Sequence, residues 1–184
     1  MRIYLVQVGY VDADILDSIR REVMKAFHGS ICEVSEKIVA LPREAYNQVR
    51  RQFLSEALLN EVFKVALEME NKIGESCIAL GVADVDIYAP GMNFIFGEAQ
   101  CPGRSAVISI FRLRPEFYGG EPNRDLLVDR AVKEAIHELG HVFGLKHCEN
   151  PTCVMFFSLH VGMTDRKTRT FCRKCAAKLS HIIN

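Results

Sequence analysis

The chain lacks any excess of charge: its 184 residues carry 23 Lys and Arg against 23 Asp and Glu. A protein built to wrap nucleic acid or coat an anionic membrane needs surplus positive charge, so neither partner is expected. No apolar run approaches the roughly 18 residues that mark a membrane span. The opening stretch, Met1 to Gly9, has strand length only and lacks the small-residue cleavage site of a secretory signal. No propeptide-like segment precedes that first strand, which argues against latency through a removable piece. Repeats, low-complexity linkers, a phosphate loop, a dinucleotide fingerprint and a Ser-His-Asp set are also missing. Hydrophobic residues nevertheless make up 49%, enough for a real core. The expectation is one domain over residues 1–184, monomeric and, with seven cysteines and no export signal, at home in a reducing cytoplasm.

Along the chain the hydrophobic period switches between strand and helix. Ile3, Leu5, Val6 and Val8 mark a buried strand, and Ile15, Leu16, Ile19, Val23, Met24 and Phe27 a helix over Asp14–Phe27. Short strands are expected around Ile31–Val34 and Lys37–Leu41, and a second helix over Ser55–Met69. Ser76–Tyr88 is β-rich but broken by Asp84 and Asp86, which read as loop carboxylates. Phe94–Phe96 and Ala106–Leu113 read as a hairpin. A third helix, capped by Asn123 or Asp125, runs to about Phe143. This order implies an α+β fold, a mixed sheet packed with helices and followed by a C-terminal appendage.

The third helix carries the chemistry. His137 and His141 stand four apart, one helical turn, so both imidazoles project from one face and can bind a single metal. Glu138 lies beside that face, where a carboxylate can take a proton from water. Gly144 permits the backbone to stop the helix and swing back, bringing His147 to a third position. Three protein nitrogens leave a fourth position for water, the open geometry of catalytic zinc sites. The short His-Glu-x-x-His pattern alone arises by chance in roughly one chain in a hundred; Gly144 and His147 at their places make it specific. Met155, eight residues on in an apolar turn, could floor the site, although a methionine in such a run is more often plain core.

Four of the seven cysteines, Cys148, Cys153, Cys172 and Cys175, crowd the tail in two short pairs. That spacing suits one tetrahedral structural zinc; disulfides and a redox-active Cys-x-x-Cys are the alternatives. His160 and His181 are possible substitute ligands. Such a cage would hold His147 and the Met155 turn together, and the tail would fold largely through its metal. Cys32, Cys77 and Cys101 look like small buried residues. The basic tail, Arg166, Lys167, Arg169, Arg173, Lys174 and Lys178, looks like solvated surface.

The run His137-Glu-Leu-Gly-His-Val-Phe-Gly-Leu-Lys-His147 with Met155 resembles the metzincin metallopeptidases. The adjoining Cys148, with Cys153, Cys172 and Cys175, resembles one branch, the archaemetzincins. The resemblance implies a zincin-like fold with a twisted sheet, an active-site helix and a small zinc-stabilised C-terminal subdomain below a cleft, dividing the chain at 1–144 and 145–184. It further implies His137, His141 and His147 as ligands of a catalytic zinc, Glu138 as general base and Met155 as the Met-turn residue. A second zinc is implied on the four cysteines. Metzincins take peptides along the edge strand before the active-site helix, for which Ala106–Leu113 is the candidate.

The function expected is therefore zinc-dependent hydrolysis of peptide or protein substrates, with aminopeptidase-like action on small peptides as a finer possibility. The alternative is a zinc-stabilised binding module whose peptidase site is latent. Hydrolysis of a non-peptide amide also fits the motif.

Overall fold

The computed structural model describes residues 1–183. In β1 (Arg2–Val8), Ile3 and Leu5 face one side and Tyr4, Val6 and Val8 the other, all buried. Apolar side chains on both faces suit a strand covered from both sides. There follow α1 (Ala13–Ala26), β2 (Ile31–Val39), β3 (Tyr46–Asn47), β4 (Gln52–Leu54) and α2 (Ser55–Ile73). Then come β5 (Cys77–Ala83), β6 (Ile87–Tyr88), β7 (Gly97–Ala99), β8 (Ser105–Ser109), α3 (Arg124–Val142), α4 (Val161–Arg166) and α5 (Arg173–Ile183).

Among the described residues the main sheet has the order β2-β1-β5-β8-β7, and β3-β4-β6 make a smaller one. β1, β2, β5 and β8 run parallel, while β7 pairs antiparallel with β8 at one edge. Helices α1 and α3 cover one face, packing Ile15, Ile19, Ala135 and Leu139 against Ile3, Leu5, Leu80 and Ile108. Helix α2 covers the other, with Leu58, Val62 and Ala66 against Val6, Val8 and Val107. Cys153, Val154, Met155, Cys175 and Leu179 join the core on the α1 and α3 side. No helix among the described residues is long and apolar enough to cross a membrane.

The fold class is as expected, with local corrections. The two strands expected in residues 31–41 are one strand, β2, whose register against β1 shifts between Leu5 and Gln7; that bulge breaks the alternation. The hairpin pairs Gly97–Ala99, not Phe94–Phe96, with Ser105–Ser109, because Phe96 turns into the core. Beyond it, Phe111–Leu113 is a 3-10 turn. Asn123 rather than Asp125 caps α3, its side chain accepting from the Leu126 N–H at 3.0 Å.

Candidate active site

Helix α3 is buried on all sides from Ala131 to Gly140, although Lys133, Glu134, His137 and Glu138 lie in that stretch. Buried charges must be paired, and the C-terminal segment supplies partners. Arg130 makes a two-pronged pair with Asp165 at 2.7 and 2.8 Å and also donates to the Leu113 carbonyl. Lys167, its side chain 0% exposed, pairs with Glu134 at 3.0 Å, and the Thr164 hydroxyl donates to the same carboxylate oxygen at 2.9 Å. Lys167 is thus not the solvated tail cation expected, and Arg169 pairs with Asp129. Sequence reasoning missed this seam because it counted Lys167 with its basic neighbours. The signal was on α3, where Arg130 and Glu134 fall one turn apart in line with Glu138.

His137 and His141 are oriented by backbone carbonyls. Nδ1 of His137 donates to Val154 O at 2.8 Å, and Nδ1 of His141 to Leu145 O at 2.7 Å. A carbonyl only accepts, so each Nδ1 carries the proton and each Nε2 keeps its lone pair. Those two Nε2 atoms face each other at 3.1 Å. Burial pushes both imidazoles below their ordinary pKa, so both are neutral and no proton bridges them. Two facing lone pairs repel unless they share a cation. Nitrogens on one tetrahedral zinc sit about 3.3 Å apart, so the pair fits such an ion. His147 completes the cluster, its ring 4.7 Å from that of His141, and one nitrogen from each residue lies within 4.8 Å of the others.

The end of α3 brings His147 there. Gly144, at φ +85°, donates to His141 O at 2.7 Å, and Leu145 donates to Gly140 O at 3.0 Å. This pair of reversed bonds is a Schellman ending, which needs a left-handed residue at that glycine. The same turn aims the Leu145 carbonyl at His141. Three residues later, Cys148 N–H donates to Met155 O at 2.9 Å, tying the third histidine to the Met155 turn. Met155 is fully buried, its sulfur so close to Gly140 that a Cβ there would collide with it.

Glu138 faces a cleft of ≈ 200 Å³ that also presents the three histidines, Phe96, Phe157 and Leu159. It makes no hydrogen bond or ion pair among the described residues. Burial, reinforced by Glu134, holds its carboxyl well above the usual carboxylate range. Strand β7 lies directly on it, since a Cβ on Gly97 would come within 2.6 Å of Glu138 Oε1. The expected edge strand is corrected here. Ala106–Leu113 overlaps β8, which is flanked by β5 and β7 and buried at all five of its positions; the open edge beside the cleft is β7.

The four tail cysteines converge as well, with sulfurs within 4.8 Å of one another. Cys148 and Cys172 Sγ are 3.8 Å apart, the separation of about 3.8 Å that tetrahedral zinc–thiolate bonds impose. All are free thiols. A backbone N–H from Cys175 lowers the Cys172 pKa to about 7, the thiolate form a metal takes, while burial raises Cys153. His160 and His181 belong to neither cluster. Cys32 and Cys77 are buried as expected, but Cys101 is exposed, in the turn between β7 and β8. Asp84 and Asp86 pair with Arg114 and Arg112.

A neutral histidine triad with a free carboxylate, under the open edge of a sheet, defines a metal-dependent hydrolase. The sequence profile of peptidase family M54 matches residues 2–181, and the chain belongs to that family. An archaemetzincin of Methanocaldococcus jannaschii is 46% identical over 179 residues, covering 97% of this chain and 93% of the relative. The crystal structure of an archaemetzincin from Methanopyrus kandleri superposes with a TM-score of 0.81 at 37% identity, covering 100% of this chain and 95% of that one. A zinc-dependent peptidase from Methanocorpusculum labreanum gives 0.85 at 30% identity, covering 96% and 99%. The chain is accordingly a metallopeptidase of archaemetzincin type.

Proposed function

We propose that peptide bonds are hydrolysed in the cleft below β7, with Glu138 as general base. The observation that carries this is the facing pair of Nε2 lone pairs beside an unpartnered, buried carboxylate. His137, His141 and His147 would hold the catalytic zinc, and Cys148, Cys153, Cys172 and Cys175 a structural one. Bound at the histidines, zinc supplies an electrophile for the peptide carbonyl and acidifies water. Glu138 accepts the proton from the attacking water and passes it to the leaving nitrogen, a task suited to a carboxyl raised toward neutrality. The unpaired backbone of β7 receives an extended peptide and sets the scissile bond over Glu138. The Leu145 and Val154 carbonyls keep the histidines in the tautomer that binds metal.

Aminopeptidase-like action on short peptides is the finer form of this reading, and the cluster of free thiols favours a reducing compartment such as the cytoplasm. A panel of quenched fluorescent peptides, free and blocked at their ends, tests the reading. Cleavage by the zinc-loaded protein and its loss in Glu138→Ala with zinc retained are expected. Full activity in that variant would overturn the assignment of the base.

A further inference from the structure

A second groove, ≈ 560 Å³, adjoins the cleft, and His147 lines both. Its rim carries Lys146, Arg173, Lys174 and Lys178, all exposed. None of the four forms an ion pair or hydrogen bond among the described residues. Most cations elsewhere are answered, as Arg20 is by Asp17, Arg112 by Asp86, Arg130 by Asp165 and Lys133 by Asp129, although Arg43, Arg51, Lys72 and Arg166 also stand without an ion pair among the described residues. At this groove four such cations share one rim, in a chain with equal numbers of acidic and basic side chains. The cysteine cluster lies beneath, and four thiolates on a divalent ion carry two net negative charges. Those and the Glu149 carboxylate still leave the rim cations in the majority.

We propose that this groove is an anion-recognising subsite that takes a carboxylate of the peptide substrate. The assignment rests on the peptidase reading above, and it places the acidic group near the bond cleaved, because His147 lines both cavities. A peptide fits better than a nucleic acid, which needs positive charge spread along a whole face, whereas this chain is neutral overall. The carboxylate can belong to an Asp or Glu side chain or to the peptide's C-terminus.

The test uses the full-length, zinc-loaded protein and labelled short Ala/Gly peptides, bearing one Glu or its Gln isostere and a free or amidated C-terminus. Binding is read by anisotropy, and turnover separately. Each added carboxylate is expected to tighten binding roughly two- to fivefold at low salt, less at about 0.5 M salt, and the stronger of the two identifies its source. Arg173→Glu/Lys174→Glu should remove the preference by raising KM for acidic peptides, with kcat and KM on neutral ones unchanged. Lys146→Glu/Lys178→Glu, outside the Cys172–Cys175 turn, should do the same. Equal affinity for acidic and neutral peptides would overturn the proposal, as would a preference that survives both variants. So would loss of cysteine-bound zinc as the sole effect of charge reversal, or tighter binding of a single-stranded oligonucleotide than of any peptide. Selective binding of acidic peptides without cleavage of any would sink the peptidase reading and leave this one standing.

Discussion

The two ligand clusters are built in opposite ways. Two of the three histidines stand on α3, a helix packed into the core along its second half, and their rings are held by carbonyls of Val154 and Leu145. The four cysteines come from turns and from the start of α5, and of them only Cys153 and Cys175 are buried in the core. A helix supplies rigidity before any metal binds, whereas ligands on irregular backbone need the metal to order the chain. On the function proposed above, the molecule sets a pre-shaped site for chemistry beside one whose use is mechanical. The Cys148 to Met155 hydrogen bond links them.

That contrast can be broken most directly at the cage. Structural zinc contributes on the order of 10 kcal/mol to small zinc domains, so Cys153→Ser should release the tail. Hydrogen exchange should then show residues 145–183 opening while α3 stays protected; equal protection of both would remove the distinction. Next, Glu138→Gln should lower kcat by about 10²–10⁴ and leave the unfolding temperature and metal content unchanged, because the carboxylate makes no ion pair or hydrogen bond among the described residues. The seam between the regions comes third. Lys167→Met strands the Glu134 carboxylate and should cost about 3–5 kcal/mol in denaturant unfolding. Adding Glu134→Gln should restore most of it.

A smaller effect is expected at the helix end. Gly144→Ala forces a side chain into left-handed backbone, about 1–2 kcal/mol, and should weaken metal retention at the histidines while the cysteine cage keeps its ion. Smallest is a pH effect on the metal-free protein. The folded histidines have pKa values lowered by burial, so below about 6.5 the unfolded chain binds more protons than the folded one. Stability should therefore fall as pH drops from 6.5 and be insensitive to these groups above it. A chemical-denaturation series across pH 5–8 checks the direction.

Much of the site was legible because it is local. The spacing of His137, Glu138 and His141 on one helix, the glycine that ends it and the paired cysteines are short-range patterns. Their geometry follows from helix pitch and backbone sterics. The order of strands was not legible. β8 looks like a candidate edge from its place before α3, yet it is interior, and β7, with only three residues, is the edge that faces the cleft. The fate of Lys167 was equally hidden, since its neighbours in sequence are solvated and the charge that answers it, Glu134, lies on a helix more than thirty residues away.

The sequence alone therefore determined which atoms can bind metal and which carboxylate can move a proton, because ligand chemistry and helical period are properties of residues and their spacing. Only the tertiary structure decided where those atoms point and which strand edge stands open above them. It also decided which charges are buried in pairs and which stay unanswered at the rim. These depend on the packing of segments distant in the chain, where desolvation and close contact, not local propensity, set the outcome.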